Sequence, residues 1–205
     1  MAKRKKGIET TKQILEESAK LFANKGYDSV SVHEIADNVG IKESSLYNHF
    51  SSKKSILDTL LQMFGQSSGE MRPQEEELDK LLLIMQPEEI FKYILFYFGN
   101  HGSSLVENIA MIINNEKYRN PQAVEIYYKY VVNEPSSYYE KLITKMKEKK
   151  MIKCDDPRLF AEQYNYISIS LTKEYFMAKN GLTDVHEVVK YMVKTINFFC
   201  GLMRI

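Results

Sequence analysis

The chain has 205 residues, and its 28 basic and 27 acidic side chains leave a formal net charge of +1. Such a near-neutral balance excludes a protein that coats nucleic acid through bulk positive charge. Hydrophobic residues make up 44% of the chain, which is enough for a packed core and argues against intrinsic disorder. Any nucleic-acid binding must therefore depend on where a few positive charges are placed.

The termini and the cysteines indicate the compartment. The basic first residues lead into Ile8-Glu9-Thr10-Thr11 rather than an apolar segment, so no signal peptide is expected. The most apolar stretch, residues 90–98, contains Lys92 and is too short to span a bilayer. Cys154 and Cys200 lack metal-binding spacing, and two free thiols are favoured over a disulfide. We expect a soluble cytoplasmic protein that does not insert into membranes and has no metal or cofactor.

The spacing of apolar residues predicts an all-α fold. Nearly every segment has helical periodicity, and no run alternates long enough to predict a strand. Thr10 and Gln13 have the spacing of a capping box at the start of the first helix, which Gly26 ends. A change to polar composition near residue 66 suggests two domains, at residues 8–66 and 67–205.

Residues 31–50 have the pattern of a helix-turn-helix. Ser31 and Glu34 form a second capping-box pair at the start of a short helix that ends at Gly40, where glycine tolerates a left-handed backbone. The next helix is expected from about Lys42 to His49. Such a pair can place its second helix in the DNA major groove, although many helical hairpins also carry a glycine turn.

The residue types in and around this hairpin are more specific than their spacing. They are Ala19, Leu21-Phe22, Gly26-Tyr27, Ile35-Ala36, Val39-Gly40-Ile41, Ser45-Leu46-Tyr47-Asn48-His49-Phe50, Ser52-Lys53 and Ile56-Leu57. Over about residues 8–66 the pattern resembles the N-terminal DNA-binding domain of the TetR family of bacterial transcriptional regulators. The resemblance implies a three-helix helix-turn-helix domain followed by a larger helical domain for ligand binding and dimerisation. Beyond residue 66, only length, helical content and two amphipathic terminal helices match.

The resemblance also implies DNA contacts. Tyr47 and His49 would contact phosphate oxygens, and Lys53 would add a positive charge where the N-terminus of the following helix favours an anion. Leu46 and Phe50 would belong to the core. The residues on or near the face that would read base edges are Lys42, Glu43, Ser44, Ser45 and Asn48. The alternative for Tyr47 is a core tyrosine with a satisfied hydroxyl.

Two positions depart from the family pattern. Lys42 stands where the family often has a Ser or Thr helix cap, whose loss typically costs about 1 kcal/mol. Ser55 stands where the family often has Glu, which would complete a capping box with Ser52. Because of these two departures, the resemblance does not indicate which operator sequence the domain would recognise.

The charges are unevenly distributed. Residues 1–55 have ten basic and seven acidic side chains, so this segment has a charge of +3 and the remainder −2. The excess lies at residues 3–6 and at Lys42, Lys53 and Lys54. The cluster at residues 3–6 is either a solvated tail or an arm that follows the DNA backbone.

The last two helices, expected at about residues 157–180 and 184–203, have wide apolar stripes. The stripes predict a homodimer in which this antiparallel pair packs against its symmetry mate as a four-helix bundle. The alternative is that both stripes are buried within one subunit. The resemblance favours the dimer, because paired recognition helices about 34–36 Å apart read a pseudo-palindrome.

Aromatic side chains crowd residues 91–139 of the predicted second domain. Tyrosine combines an apolar body with a polar tip, which suits a pocket for a largely apolar small molecule. The predicted ligand contacts are Tyr97, His101, Tyr127, Tyr130 and Tyr164, with Glu107 and Asn165 as further polar anchors. Most of the aromatic residues are nevertheless expected to be ordinary core or surface residues.

These observations favour a homodimeric transcriptional regulator, more specifically a repressor that releases a pseudo-palindromic DNA operator when a small molecule binds. An enzyme is not expected, because the sequence lacks nucleotide-binding and catalytic motifs. The alternatives are an activator of the same family and a helical regulator that acts through protein contacts. Neither the effector nor the operator can be read from the sequence.

Overall fold

The computed structural model describes residues 2–203, with side chains from residue 7 onward, and this part of the chain contains helices and no strands. The predicted all-α class is therefore confirmed. The basic cluster at residues 3–6 lies outside the described side chains. The elements are α1 (Ala2–Lys25), α2 (Val32–Val39), α3 (Glu43–Leu46), α4 (Lys53–Ser67), a 3₁₀ turn (Ser68–Met71), α5 (Glu75–Leu81), α6 (Pro87–His101), α7 (Ser104–Glu116), α8 (Pro121–Ile126), a π-helix (Tyr127–Asn133), α9 (Glu134–Glu148), α10 (Pro157–Lys179) and α11 (Val185–Leu202). None of these helices is long and apolar enough to cross a lipid bilayer.

The chain forms two compact units. The first comprises the chain up to Ser67 together with Ser103–Tyr127, and the second comprises Ser68–Gly102 together with the chain from Tyr128. Helices α7 and α8 therefore pack in the first unit, against α1 and α4. The domains predicted at residues 8–66 and 67–205 from the change in composition stay a prediction.

Helix α1 begins eight residues earlier than the sequence analysis predicts. It starts at Ala2, so the predicted start at the Thr10–Gln13 capping box is wrong. The preceding segment is rich in Lys and Arg, which are good helix formers, and the helix continues through it. Gly26 follows the last helical residue with φ at +81°, as predicted for a glycine that ends a helix.

The core of the first unit fixes the helix-turn-helix. Leu46 is completely buried and Phe50 is nearly so, which confirms their predicted place in the core. Because each lies on one side of α3 or its following turn, the opposite side remains at the surface. Other fully or nearly fully buried side chains of this unit include Ile14, Ala19, Phe22, Val30, Ile35, Ala36, Ile56, Leu57, Leu60, Leu61, Ile109, Ile112 and Ile113.

The second unit packs around an aromatic cluster. The ring of Tyr164 on α10 lies edge-on to three other rings, with centroid distances of 5.0 Å to Phe91, 4.8 Å to Tyr139 and 5.4 Å to Phe199. Edge-to-face pairs at such distances are favourable beyond the apolar area that they bury. The cluster joins α6, α9, α10 and α11 into one core.

A π-helix at Tyr127–Asn133 is stabilised by a buried amide. The Nδ2 group of Asn165 donates to the carbonyl oxygens of Val131 at 3.2 Å and Val132 at 3.0 Å. It also lies 3.2 Å from the hydroxyl oxygen of Ser136, which itself donates to the Val132 carbonyl at 2.7 Å. Carbonyl groups that lie outside regular α-helical pairing need such partners when they are buried.

Candidate nucleic-acid interface

Helix α2 and its turn follow the sequence prediction. The hydroxyl oxygen of Ser31 caps the helix by accepting the Glu34 amide at 3.0 Å. The helix ends at Gly40, whose φ of +74° is left-handed, and the Ile41 amide donates back to the Ala36 carbonyl at 3.0 Å. The Glu34 carboxylate accepts a hydrogen bond from Lys25, which lowers the pKa of Glu34.

Helix α3 is shorter than the predicted range of residues 42–49. Its regular part is the single turn Glu43–Leu46, with Lys42 as an N-cap that makes no side-chain capping bond. Helical turns continue beyond it, since the His49 and Phe50 amides donate to the Leu46 carbonyl at 2.9 and 3.0 Å. The segment therefore keeps a compact helical path from Glu43 to Phe50.

The surface of α3 carries most of the residues predicted to face DNA. Lys42, Glu43, Ser44 and Asn48 are exposed, and Ser45 is half-buried. Tyr47 has 49% of its side chain exposed, which does not fit the alternative of a core tyrosine. The structure thus brings charged, hydroxyl and amide groups together on the side of α3 that is opposite its buried anchors. These groups include the donors and acceptors that read base edges.

His49 is held by α1. Its Nδ1 atom lies 2.9 Å from the hydroxyl oxygen of Thr11, which donates its single proton to the Gly7 carbonyl at 3.0 Å. The imidazole must then donate from Nδ1 to Thr11, which fixes the ring orientation. In a neutral ring of this tautomer Nε2 is an acceptor, whereas an imidazolium donates from both nitrogens.

The start of α4 is capped reciprocally by two serines. The Ser55 amide donates to the Ser52 hydroxyl oxygen at 3.1 Å, and the Ser52 amide donates to the Ser55 hydroxyl oxygen at 3.2 Å. This is the bonding pattern of a capping box, with Ser55 in place of Glu or Gln. The departure at Ser55 therefore leaves both amide groups satisfied, and Ser52 acts as the N-cap of α4.

Two lysines at the start of α4 have partners within the protein. The ammonium group of Lys53 donates to the carbonyl oxygens of Tyr27 and Val30, each at 2.8 Å. The ammonium group of Lys54 bonds both carboxylate oxygens of Asp58, at 2.9 and 2.7 Å. Much of the positive charge that the sequence analysis places around α3 is thus already engaged.

An ion-pair chain reaches the same loop from the end of α7. The buried carboxylate of Glu116 accepts two bonds from Arg119, at 2.8 and 3.1 Å, which orient the guanidinium group. The third guanidinium nitrogen lies 3.1 Å from the carboxylate of Asp28, between α1 and α2. The Glu116 and Asp28 carboxylates raise the pKa of Arg119. Helix α7 therefore contacts the segment that leads into α2.

The predicted ligand residues are divided between the two units. Tyr97 and His101 stack with centroids 3.8 Å apart in the second unit, where Tyr164 is buried in the aromatic cluster. The ring of Tyr130 is also in that unit, and the ammonium group of Lys129 lies over its face. Tyr127 belongs to the first unit, where the ammonium group of Lys117 lies over its ring. An apolar cleft of about 320 Å³ lies in the first unit instead; Ile8, Thr11, Lys12, Leu15, Met63 and Leu105 line it. Asn165 was predicted as a polar anchor for the ligand. Its side-chain amide instead donates to carbonyl oxygens of the π-helix.

Sequence reasoning missed Thr11, Asp28 and Arg119. Their contacts join residues far apart in sequence, and no local pattern marks such pairs. Tyr27 was recognised only as part of the family pattern, although its carbonyl is an acceptor for Lys53. The spacing of Ser52 and Ser55 was a local signal, but Ser55 was interpreted only as a departure from the Glu that completes a capping box.

Comparison with known proteins identifies the N-terminal segment. Residues 14–60 match the family described as bacterial regulatory proteins, tetR family. The HTH-type transcriptional repressor KstR2 of Mycobacterium tuberculosis is 44% identical over 52 residues, which are 25% of this chain and 26% of the relative. The match thus spans about a quarter of the relative's length.

Solved structures extend the likeness to the whole fold. A TetR-family transcriptional regulator from Mesorhizobium loti has a TM-score of 0.66 at 16% identity, covering 97% of this chain and 98% of that one. A transcriptional regulator from Saccharomonospora viridis, solved in complex with choline, also has a TM-score of 0.66, at 19% identity over 93% of this chain and 95% of that one. Over residues 14–60 the chain therefore matches the TetR family of bacterial regulatory proteins, and its whole fold is similar to those two solved structures.

Proposed function

We propose that the chain is a DNA-binding transcriptional regulator that reads its operator with α3. The observation that carries this proposal is the exposed polar face of α3, held in place from below by the buried Leu46 and Phe50. The match of residues 14–60 to a regulatory family supports the same reading. KstR2, which resembles 52 residues of this chain, is a transcriptional repressor, so repression is proposed in preference to activation.

The residues of the interface have different roles in this proposal. Tyr47 and His49 contact phosphate oxygens, His49 as the imidazolium that donates from both ring nitrogens. Both residues fix the position of α3, which provides affinity without sequence information. Asn48 pairs with adenine, and Glu43 accepts a hydrogen bond from cytosine N4. Lys42 attracts the DNA by its charge, while Ser44 and Ser45 lie beside the base edges. Lys53 differs from these residues, because two carbonyl groups already accept its hydrogen bonds.

The DNA proposal is tested with the full chain and DNA from the region upstream of its own gene. Gel-shift titrations at low salt are expected to give a saturable complex that unlabelled specific DNA competes away. Tyr47→Phe removes one hydroxyl group and is expected to weaken binding severalfold. Tyr118→Phe is the matched control, since Tyr118 is strongly exposed between α7 and α8. No retardation of any fragment at low salt would contradict the proposal and favour a regulator that acts through protein contacts.

We also propose that two copies of the chain associate through α10 and α11. Tyr191, Phe198 and Leu202 are 58%, 64% and 62% exposed, and their spacing places them on one side of α11. Leu159, Tyr166 and Met177 form a similar exposed apolar row along α10. Contiguous exposed apolar side chains of this kind mark association surfaces, and a second copy presents the same self-complementary surface.

Helix α11 also has a buried apolar stripe, which is distinct from this exposed surface. Val188, Met192, Ile196 and Phe199 are buried within the subunit, as the alternative of burial within one chain requires. The exposed row on α11 lies beside them rather than among them. The two helices thus have one apolar side for the subunit core and a second apolar side for a partner.

A charge in the exposed row tests the dimer. Phe198→Glu is expected to shift the mass measured by light scattering at micromolar concentration from a dimer to a monomer. Asn197→Glu introduces the same charge at an exposed position on another side of α11, and is expected to leave the dimer intact. A monomer mass for the unmodified chain would refute the dimer. Equal effects of the two variants would show that the exposed row on α11 is not the interface.

We propose further that a small, largely apolar molecule releases the DNA. The contacts proposed for it are Tyr97, His101, Tyr127, Tyr130 and Tyr164. The structurally similar regulator from Saccharomonospora viridis was solved with choline, which makes choline one reasonable probe. Choline and a set of apolar acids and lactones are titrated into the protein–DNA complex. Release of DNA with a raised melting temperature is expected for at least one compound; a complex indifferent to every compound would count against ligand control.

A further inference from the structure

Lys53 is the first residue of α4, but its ammonium group lies on the loop that joins α1 to α2. Two of its three N–H groups donate to the carbonyl oxygens of Tyr27 and Val30 at 2.8 Å. The same nitrogen lies 4.2 Å from the centroid of the Tyr27 ring, within the range of a cation–π contact. The side chain is half-buried. The lysine is therefore held by three groups of one short loop.

The position of this lysine is unfavourable unless the loop compensates for it. The first turn of a helix has exposed amide groups and the positive end of the helix dipole, so a cation there is destabilising. Carbonyl oxygens and the face of an aromatic ring both stabilise an ammonium group. The loop supplies these groups, and Lys53 in turn satisfies two carbonyls that have left the regular pairing of α1 and not yet entered that of α2.

The loop held by Lys53 leads directly into the DNA-reading hairpin. Val30 is buried and precedes Ser31, the N-cap of α2. The Tyr27 ring packs edge-on against Phe22 of α1, with centroids 5.2 Å apart. At the other end, Phe50 anchors the turn after α3, three residues before Lys53. The bonds from Lys53 to Tyr27 and Val30 thus close the base of the chain segment that contains α2 and α3.

We propose that Lys53 is a positioning residue for DNA binding, which holds the base of the α2–α3 hairpin instead of contacting a phosphate. This inference rests on the proposed DNA-binding function. It assigns to Lys53 a role that differs from the phosphate contact implied by resemblance to the family. The favourable effect of the lysine on affinity is then exerted through the orientation of α3.

The two roles predict different responses to salt. Each phosphate neutralised contributes about −0.9 to the slope of log K against log salt concentration. A lysine that contacts phosphate changes this slope when it is replaced, and leaves the free protein unaffected. A positioning lysine leaves the slope unchanged, but its replacement loosens the loop in the free protein. Affinity falls in both cases, so affinity alone does not distinguish them.

The experiment combines DNA titrations with amide hydrogen exchange on the full chain. The DNA probe is a duplex selected by the unmodified protein from a random library. Lys53→Met keeps most of the apolar stem and removes the ammonium group, and Lys54→Met is the matched control at the next position. For Lys53→Met we expect about tenfold weaker binding, an unchanged salt slope and faster amide exchange over residues 27–36. Lys53→Arg keeps donors for the carbonyls and is expected to recover most of the affinity.

Several outcomes would overturn the proposal. A salt slope reduced in magnitude by about one per subunit, with unchanged exchange, would establish a phosphate contact instead. An unchanged affinity would show that the contact has no influence on DNA binding. If Lys53→Met does not fold, Lys53→Gln, which removes the charge but keeps an amide donor, takes its place: an unchanged salt slope is expected, and a slope reduced by about one per subunit with unchanged exchange over residues 27–36 would contradict the proposal. The exchange measurement needs no DNA, so a protein that fails to bind DNA still shows whether Lys53 holds the loop.

Discussion

The hydroxyl oxygen of Thr11 and the Nδ1 atom of His49 are 2.9 Å apart, which joins α1 to the turn that follows α3. Thirty-eight residues of sequence separate the two. Since the single hydroxyl proton of Thr11 is donated to the Gly7 carbonyl, the imidazole is the donor in this contact. Helix α1 thereby orients a ring proposed to contact the DNA backbone.

Removing the Thr11 hydroxyl is expected to weaken DNA binding without unfolding the protein. Thr11→Val is nearly isosteric, and Val and Thr have similar helix propensities, so the free energy of unfolding should change by less than about 1 kcal/mol. The His49 ring loses its partner, and binding measured by fluorescence anisotropy should weaken by about three- to tenfold. Thr11→Ser keeps the hydroxyl and should bind like the unmodified chain. Equal affinities of the Val and Ser variants would contradict this role.

The serine pair at the start of α4 should be measurable as a helix cap. Ser55→Ala removes the acceptor of the Ser52 amide, and we expect a loss of about 0.5–1 kcal/mol in the free energy of unfolding by urea. Ser55→Glu restores the residue type of a regular capping box and should lose less. Ser29→Ala, at an exposed loop position, is the control and should stay within about 0.5 kcal/mol. If Ser55→Ala is no less stable than the control, the capping assignment is incorrect.

The buried amide of Asn165 should be important for stability. Asn165→Leu preserves the approximate volume but leaves the carbonyls of Val131 and Val132 without this donor. Because an unsatisfied buried acceptor is costly, the free energy of unfolding should fall by about 2–3 kcal/mol. Asn100→Leu, on the exposed end of α6, provides the control. If Asn165→Leu leaves the free energy of unfolding unchanged, the amide is not needed for stability. It would then be free for another purpose, including the polar ligand contact predicted from the sequence.

The aromatic cluster of the second unit predicts sensitivity to alkali. Burial raises the pKa of Tyr139 to about 12, and burial is also the main cause of the raised pKa values of Tyr138 and Tyr164. Unfolded tyrosine ionises near pH 10. A folded-state pKa above that value means that the stability contribution is complete below pH 10 and is lost as pH rises toward 12.

Circular dichroism at a series of urea concentrations measures this loss. The free energy of unfolding should decrease between pH 10 and pH 12, and tyrosinate absorbance should rise together with unfolding. Tyr139→Phe removes one of the ionisable groups, so its stability should depend less steeply on pH in this range. A variant with the same pH dependence as the unmodified chain would exclude Tyr139 as a source of the effect.

The sequence predicted those elements that depend on local signals. The cap at Ser31, the left-handed Gly40 and the two terminal helices were correctly placed, because each is determined by residues within a few positions of it. Leu46 and Phe50 were correctly assigned to the core by their family pattern. The start of α1 was misplaced, since a capping pattern at Thr10 was preferred over the continuing helix propensity of the residues before it.

The contacts that shape the candidate site were less predictable. Lys53 reaches acceptors 23 and 26 residues away, and Asn165 holds carbonyls 33 and 34 residues away. Charge and residue type indicated that both side chains are important, but a lone sequence does not show which partner each will find. For the same reason the π-helix was not anticipated, because its stabilising amide comes from α10.

The central claim is that the exposed face of α3 reads a DNA sequence, and selection from a random DNA library tests it most directly. The unmodified full chain should enrich an inverted repeat whose half-sites are separated by about one helical turn or a multiple of it. Repeating the selection with Asn48→Ala should relax the preference at one position of each half-site and retain the others. Failure to enrich any sequence, or the same enriched sequence with every base preference intact for Asn48→Ala, Glu43→Ala and Lys42→Ala, would contradict the account.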